Sequence, residues 1–142
     1  MALSQCMVSS FKPEILGGIH DLDTDAIYIA LFTSAASLGA ATTSYATAGA
    51  GEVATAGGYT AGGIQLTSPV ISLDGTTGIC DFADATWPAA TITARGALIY
   101  NSSKSGKAIA VLDFGSDKIS TAGNFTVIMP AAAAATALVR IA

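Results

Sequence analysis

The sequence predicts a mainly β protein, an antiparallel β-sandwich of jelly-roll or immunoglobulin-like type with a short N-terminal helix and a long loop rich in Gly, Ala and Thr. Two observations carry this. Short β-branched and aromatic runs recur through the second half, at Ile64–Asp74, Gly78–Phe82, Ile92–Asn101, Ala108–Phe114, Phe125–Met129 and Leu138–Ile141. Turn signals punctuate them at Asp74-Gly75, Ser105-Gly106, Gly115-Ser116 and Ala122-Gly123, the spacing expected of a sandwich.

A chain of 142 residues fits one domain, here residues 1–142, with a helix and arm over 1–24 and the long loop over 34–63. Ser9 or Ser10 can cap the helix, Pro13 and Glu14 suit its first turn, and Gly17-Gly18 end it. Asp25–Thr33 holds Ile27, Tyr28, Ile29, Leu31 and Phe32, apolar at both parities, so it reads as a strand buried on two faces. Residues 34–63 are mostly Ala, Thr, Ser and Gly, with Tyr45 and Tyr59 as the aromatics and a helical turn expected near Thr42–Ala48. Loops of this length are uncommon in compact domains and tend to be functional, so an intersubunit contact is expected there. Ile64–Asp74 changes parity around Ser68-Pro69, which a bulge or bend within one strand accommodates. Asp74-Gly75 and Ser102–Lys107 read as hairpin turns, and Trp87 as a core anchor at the end of the sandwich. Inward positions of the second hairpin are Ala94, Leu98 and Tyr100 against Ala110, Leu112 and Phe114.

Composition narrows the function. Charged residues make up 11% of the chain, against about 25% in ordinary soluble proteins. A surface so poor in charge favours burial against partners, so a homo-oligomer or a subunit of something larger is expected. The net charge of −4 and six scattered Lys and Arg residues form no basic stripe, so no nucleic-acid partner is expected. The apolar tail is too short for a membrane-spanning helix, and the N-terminus lacks the pattern of a secretory signal. Cys6 and Cys80 form no metal motif and are expected to stay reduced, Cys80 as a small core residue.

No catalytic, cofactor-binding or metal-ligating set is predicted. Asp21, Asp23 and Asp25 imitate the start of a calcium loop, but Ala26 stands where Gly is required and Phe32 where a bidentate Glu is required. His20, the only histidine, has no Gly-x-Ser-x-Gly elbow to serve and reads as a capping or packing residue. Asp81 and Asp84 near Trp87 mimic a glycosidase pair but more simply cap a strand end. Gly57 and Gly62 have phosphate-loop spacing, yet Gly63-Ile64 replaces the Lys-Ser/Thr that a phosphate cradle needs.

The phrases Phe11-Lys-Pro-Glu-Ile-Leu-Gly-Gly-Ile19, Ile27-Tyr-Ile-Ala-Leu-Phe-Thr33, Gly58-Tyr-Thr-Ala-Gly-Gly63, Asp84-Ala-Thr-Trp87, Ala94-Arg-Gly-Ala-Leu-Ile-Tyr-Asn101 and Val111-Leu-Asp-Phe-Gly115 span nearly the whole chain. In them it resembles small virion structural proteins of tailed bacteriophages, most of all capsid decoration or cement proteins. The resemblance implies a non-enzymatic subunit without cofactors, made in the host cytoplasm and carried on the outer capsid surface. It implies an oligomer, with a trimer favoured, that bridges copies of the major capsid protein. The alternative is a tail, fibre or neck component, including a glycan-binding adhesin that would use exposed Trp and Tyr. Expected partner-binding residues are Phe11, Ile15 and Leu16 of the helix and Tyr45 and Tyr59 of the loop, all taken as exposed. Arg95 and Arg140 join them as lone cations that pair with acids across a subunit boundary or else cover apolar neighbours with their stems.

Overall fold

The structure, a computed structural model, describes residues 2–142. Its elements in chain order are β1 (Cys6–Met7), α1 (Phe11–Leu16), β2 (Ile27–Phe32), β3 (Ile64–Gln65), β4 (Val70–Asp74), β5 (Thr77–Asp81), β6 (Ala85–Asn101), β7 (Lys107–Val127) and β8 (Val139–Ile141). They form two antiparallel sheets, a five-stranded one in the order β1-β7-β6-β2-β3 and a three-stranded one in the order β4-β5-β8, a mainly β arrangement consistent with a sandwich.

The hairpin of β6 and β7 dominates, with strands of 17 and 21 residues. Its inner half, Gly96–Asn101 against Lys107–Asp113, carries β2 on its other side, and Ala97, Leu98, Ile99, Ile109 and Val111 are all buried there. Adjacent positions on a strand point to opposite faces, so burial at both parities means that both faces are covered. The expected two-sided strand is therefore found as β2, with every residue but Tyr28 buried. A single apolar cluster joins this region to Trp87 and Phe125 on the outer half of the hairpin and to Cys80 and Val139 of the small sheet. Burial of each such Ile or Leu side chain contributes roughly 1.5–3 kcal/mol.

Several sequence expectations hold in detail. Asp74 pairs with Thr77 across the two-residue turn Gly75-Thr76, and the second hairpin turns through a short 3-10 segment at Ser102–Lys104. Leu112 and Phe114 are only partly buried, while the other four proposed inward positions of that hairpin are buried. Trp87 is buried, at 2% exposure, and packs between Tyr59 and Phe125.

Others are corrected. Ile64–Asp74 is not one bent strand: β3 and β4 belong to different sheets, with Ser68 at φ 53° between them. The run Ala108–Phe114 and residues Phe125–Val127 of the second run lie on one continuous strand, with Ile128 and Met129 beyond its end, because Gly115-Ser116 and Ala122-Gly123 are bulges rather than reversals. Pairing steps from Gly96↔Asp113 to Ala94↔Lys118, and from Ile92↔Ser120 to Ala90↔Gly123, and the extra residues are absorbed at Gly115 (φ 80°) and Ala122 (φ 46°). Thr42–Ala48 contains turns but no helix. Ser10 is the N-cap residue of α1, but its side chain makes no capping bond and its hydroxyl is buried without a partner.

Gly63 shows how tightly the long loop sits on the sheet. It has φ 77°, and a Cβ there would fall onto the Ile29 carbonyl oxygen. Gly63→Ala is expected to lower stability by more than about 2 kcal/mol, since left-handed strain and a backbone clash add. Gly18→Ala, at φ 72° with open space around it, should cost only about 1 kcal/mol. Urea unfolding midpoints at unchanged m-value measure both.

Candidate functional site

The long loop is fastened by one carboxylate. Glu52, which bridges to Phe32 at the end of β2, stands seven residues from Tyr45 and seven from Tyr59. Its Oε2 accepts the Tyr45 hydroxyl at 2.7 Å, and its Oε1 accepts the Tyr59 hydroxyl at 2.8 Å and the Gly62 amide at 2.6 Å. The Tyr59 oxygen in turn accepts the Leu31 amide of β2 at 2.9 Å, and the Tyr100 hydroxyl of β6 donates to the Gly62 carbonyl at 2.6 Å. Tyr45 stacks on Tyr100 with ring centroids 4.6 Å apart, and Tyr28 lies tilted beyond at 5.9 Å. One side chain thus gathers three points of the loop through charge-assisted hydrogen bonds, the stronger kind, and the neutral bonds of Tyr59 and Tyr100 pass the link on to the two central strands.

The surroundings hold these phenols in their neutral form. Burial, with the Glu52 charge behind it, pushes Tyr100 up to about 12 and moves Tyr45 and Tyr59 well above the ordinary tyrosine range. A phenol that keeps its proton is a donor, which is the role each plays here.

A second polar cluster sits at the same end of β6, one residue beyond Tyr100, where α1 meets the β6–β7 turn. The Asn101 amide nitrogen donates to His20 Nδ1 at 3.1 Å and to Asp25 Oδ2 at 2.8 Å, so His20 Nε2 carries the proton that bonds Glu14 Oε1 at 3.2 Å. Lys107 Nζ donates to Glu14 Oε2 at 2.8 Å, and Lys104 lies 3.8 Å from Asp25. Burial raises the Glu14 and Asp25 carboxyls, but bonds from Lys107 and His20 to the first and from Asn101 to the second outweigh it, leaving both below the ordinary range. Both imidazole nitrogens are therefore engaged, and neither meets a hydroxyl. His20 is the packing residue the sequence suggested, its ring centroid 4.9 Å from that of Phe11.

The acids near these elements serve the backbone. Asp21 Oδ1 accepts the amides of Asp23 and Thr24, and Asp25 Oδ2 accepts that of Asp21, which makes the calcium-like triplet a self-bonded turn. Asp81 ends β5 and accepts the Phe82 amide, and Asp84 precedes β6 and accepts the Met129 amide at 2.7 Å. Asp81 is buried, which raises its carboxyl.

The residues expected to meet a partner are distributed unevenly. Phe11 and Tyr59, expected at the surface, are buried: Phe11 is the inward anchor of a six-residue helix and Tyr59 is clamped between Glu52 and Leu31. Ile15 and Tyr45 are partly buried against the core, and Leu16 is 86% exposed. Arg95 pairs with Asp113 of its own chain at 3.2 Å, whereas Arg140 meets no acid and donates to the Ala134 and Ala135 carbonyls. Leu16 apart, sequence reasoning missed the strongly exposed apolar groups: Val70, Ile71 and Leu73 of β4, Ile141 of β8, and Ile119 and Ile128, the last at 78% exposure. It also missed a groove of about 1020 Å³ between the outer half of β7 and the segment 134–142.

No family model, curated protein or solved structure matches this chain. Its polar clusters and exposed surfaces are therefore weighed on their own geometry. No helix among the described residues is long and apolar enough to cross a membrane.

Glu52→Gln keeps the size of the side chain but turns one acceptor oxygen into a donor facing other donors. It is expected to cost about 2–4 kcal/mol, read by urea unfolding, with loss of the near-ultraviolet circular dichroism of the Tyr45–Tyr100 stack. The phenols also set the alkaline limit. Their folded pKa values lie above the unfolded value of 10, so the folded state holds more protons; their stabilisation is complete below pH 10 and is lost as pH rises through about 12 for Tyr100. Tyrosinate absorbance should therefore rise late and together with unfolding, rather than before it.

Proposed function

We propose that this protein is a non-enzymatic virion structural subunit of a tailed bacteriophage, an oligomeric decoration protein on the outer capsid that bridges major capsid subunits and resists opening of the DNA-filled shell. The observation that carries the assembly part is the contrast between polar and apolar groups. The ionisable side chains of the two clusters are spent on fastening the chain to itself, while large apolar side chains stand bare on the small sheet and along β7. Leu73 is 71% exposed, and it shares a sheet face with Ile71, Ile141, and the buried Cys80 and Val139. The apolar face of the small sheet thus runs past the core into solvent, which suits a surface covered in an assembly.

The virion setting rests on the resemblance of the phrases from Phe11 to Gly115, and the reading takes the two sheets as a sandwich of jelly-roll or immunoglobulin-like kind. Cementing is multivalent: modest apolar contacts repeated over many copies add up, although each contact alone is weak. A trimer is the favoured oligomer. A glycan-binding tail role has less support, because Trp87, the only tryptophan, is enclosed between Tyr59 and Phe125.

The purified protein should bind saturably to expanded shells that lack it, co-sediment with them, and raise the temperature at which they open. Failure to bind any shell, with the protein recovered instead in isolated tails, would move it to the tail.

A further inference from the structure

The groove along β7 has a charge character unlike the rest of the chain. Of the Lys and Arg side chains, Arg95, Lys104 and Lys107 pair with Asp113, Asp25 and Glu14. Lys12, Lys118 and Arg140 meet no carboxylate among the described residues, and two of these three, Lys118 and Arg140, line the groove. No Asp or Glu lines it, in a chain whose net charge is −4. Between the cations the wall is apolar, with Phe114, Phe125, Met129 and Leu138.

The groove is also bordered by strands with free edges. β1 covers β7 only at Ala110 and Val111, which leaves the same edge without a partner strand from Leu112 toward Val127; in this stretch side chains take the Asp113 amide, through Gln5, and the Gly115 amide, through Asp113. β8 is the last strand of its sheet and has no neighbour on its other side. An unpaired edge presents a row of amides and carbonyls to any extended chain beside it. At about 1020 Å³ and only partly enclosed, the groove has room for a segment of several residues.

We propose that this groove receives an extended segment of a partner protein, carrying apolar and acidic side chains together on its groove-facing alternate residues, as an added β-strand. Its backbone pairs with a free edge of β7 or β8, its apolar side chains settle against Phe125 and Leu138, and its carboxylates meet Lys118 and Arg140. The inference deepens the assembly reading above and rests on it, by naming the chemistry of the segment that a partner offers. It also gives Arg140 the cross-boundary acid expected from the sequence, while Arg95 finds its acid at home.

The test uses an array of randomised short peptides probed with the wild-type protein and with the charge-reversed variants K118E and K118E/R140E. Lys118 reaches only the Ser116 hydroxyl, so K118E alone leaves the fold intact even if Arg140 proves necessary to hold the tail. The wild type should select peptides in which Asp or Glu stands two residues from apolar residues; K118E should weaken them, and the double variant should lose at least about tenfold in affinity and shift its preference to basic peptides. A selected acidic peptide should slow amide exchange in Asn124–Val127 or Val139–Ile141. Selection without an acidic preference, a preference that survives the reversals, or protection confined to other segments would overturn the proposal. Shell binding separates the two readings. If K118E/R140E decorates shells as the wild type does, the groove inference fails and decoration stands. If the wild type keeps its acidic peptide preference but binds no shell, the decoration reading fails and the groove stands.

Discussion

The constraint on which most of this molecule depends is the bonding of Glu52. Residues 34–63 contribute few large apolar side chains, so burial alone gives this loop little reason to adopt one path. The carboxylate supplies it: two phenols and an amide converge on its oxygens, and through Tyr59 and Tyr100 the same network reaches the backbone of β2 and the side of β6. With the loop held, Ala48 and Tyr59 can close over the core, and Gly63 can lie against Ile29 closely enough to exclude any side chain. Ordering so many residues costs conformational entropy of roughly 1–2 kcal/mol each, which a few strong bonds and the buried Tyr59 ring only partly offset; pairing of loop segments with β2 and β7 supplies more.

The same logic explains the chemistry the protein displays. A general acid or nucleophile must be reachable and must change its partners during reaction. His20, Glu14, Asn101 and Asp25 instead bond one another at the turn that joins the two long strands, with Asn101 Oδ1 buried and unpartnered, and the Asp21–Asp25 turn is satisfied by its own amides. What the fold leaves available among the described residues includes apolar side chains, free strand edges and three cations without acids, two of them in the groove. Those are the materials of association.

Much of the fold was legible in the residues. β2 announced itself because Ile27, Ile29, Leu31 and Phe32 leave no polar face, and the turns at Gly75 and Ser102–Lys104 carry residues that tolerate sharp reversal. What misled was turn chemistry inside a strand. Gly115 and Ala122 do adopt positive φ, but a positive φ marks a local kink and does not say whether the chain reverses or resumes pairing with the same neighbour. That is decided by β6, whose 17 residues offer a partner all the way to Val127. The division of Ile64–Asp74 between two sheets was likewise hidden, because it depends on long-range partners. Phe11 and Tyr59 were taken for surface anchors since aromatics in a short helix and a polar loop look stranded; their partners, His20 and Glu52, are visible only in three dimensions. The one signal in the sequence for the Glu52 bonding is its even spacing between Tyr45 and Tyr59. The groove had no sequence signal, since it is made by β7 and a tail that meet only in the folded chain.

The most direct measurement is native-state hydrogen exchange on the unmodified protein, followed at the amides of Leu31, Tyr59, Gly62 and Gly63. Each donates a bond in the Glu52 network or in the turn closed by it. If Glu52 holds the loop to the central strands, these amides should exchange slowly, and those of Tyr59, Gly62 and Gly63 should open in one cooperative step. If the loop amides exchange as fast as an unstructured peptide while Leu31 stays protected, the loop is not held by Glu52 and another interaction orders this side of the molecule.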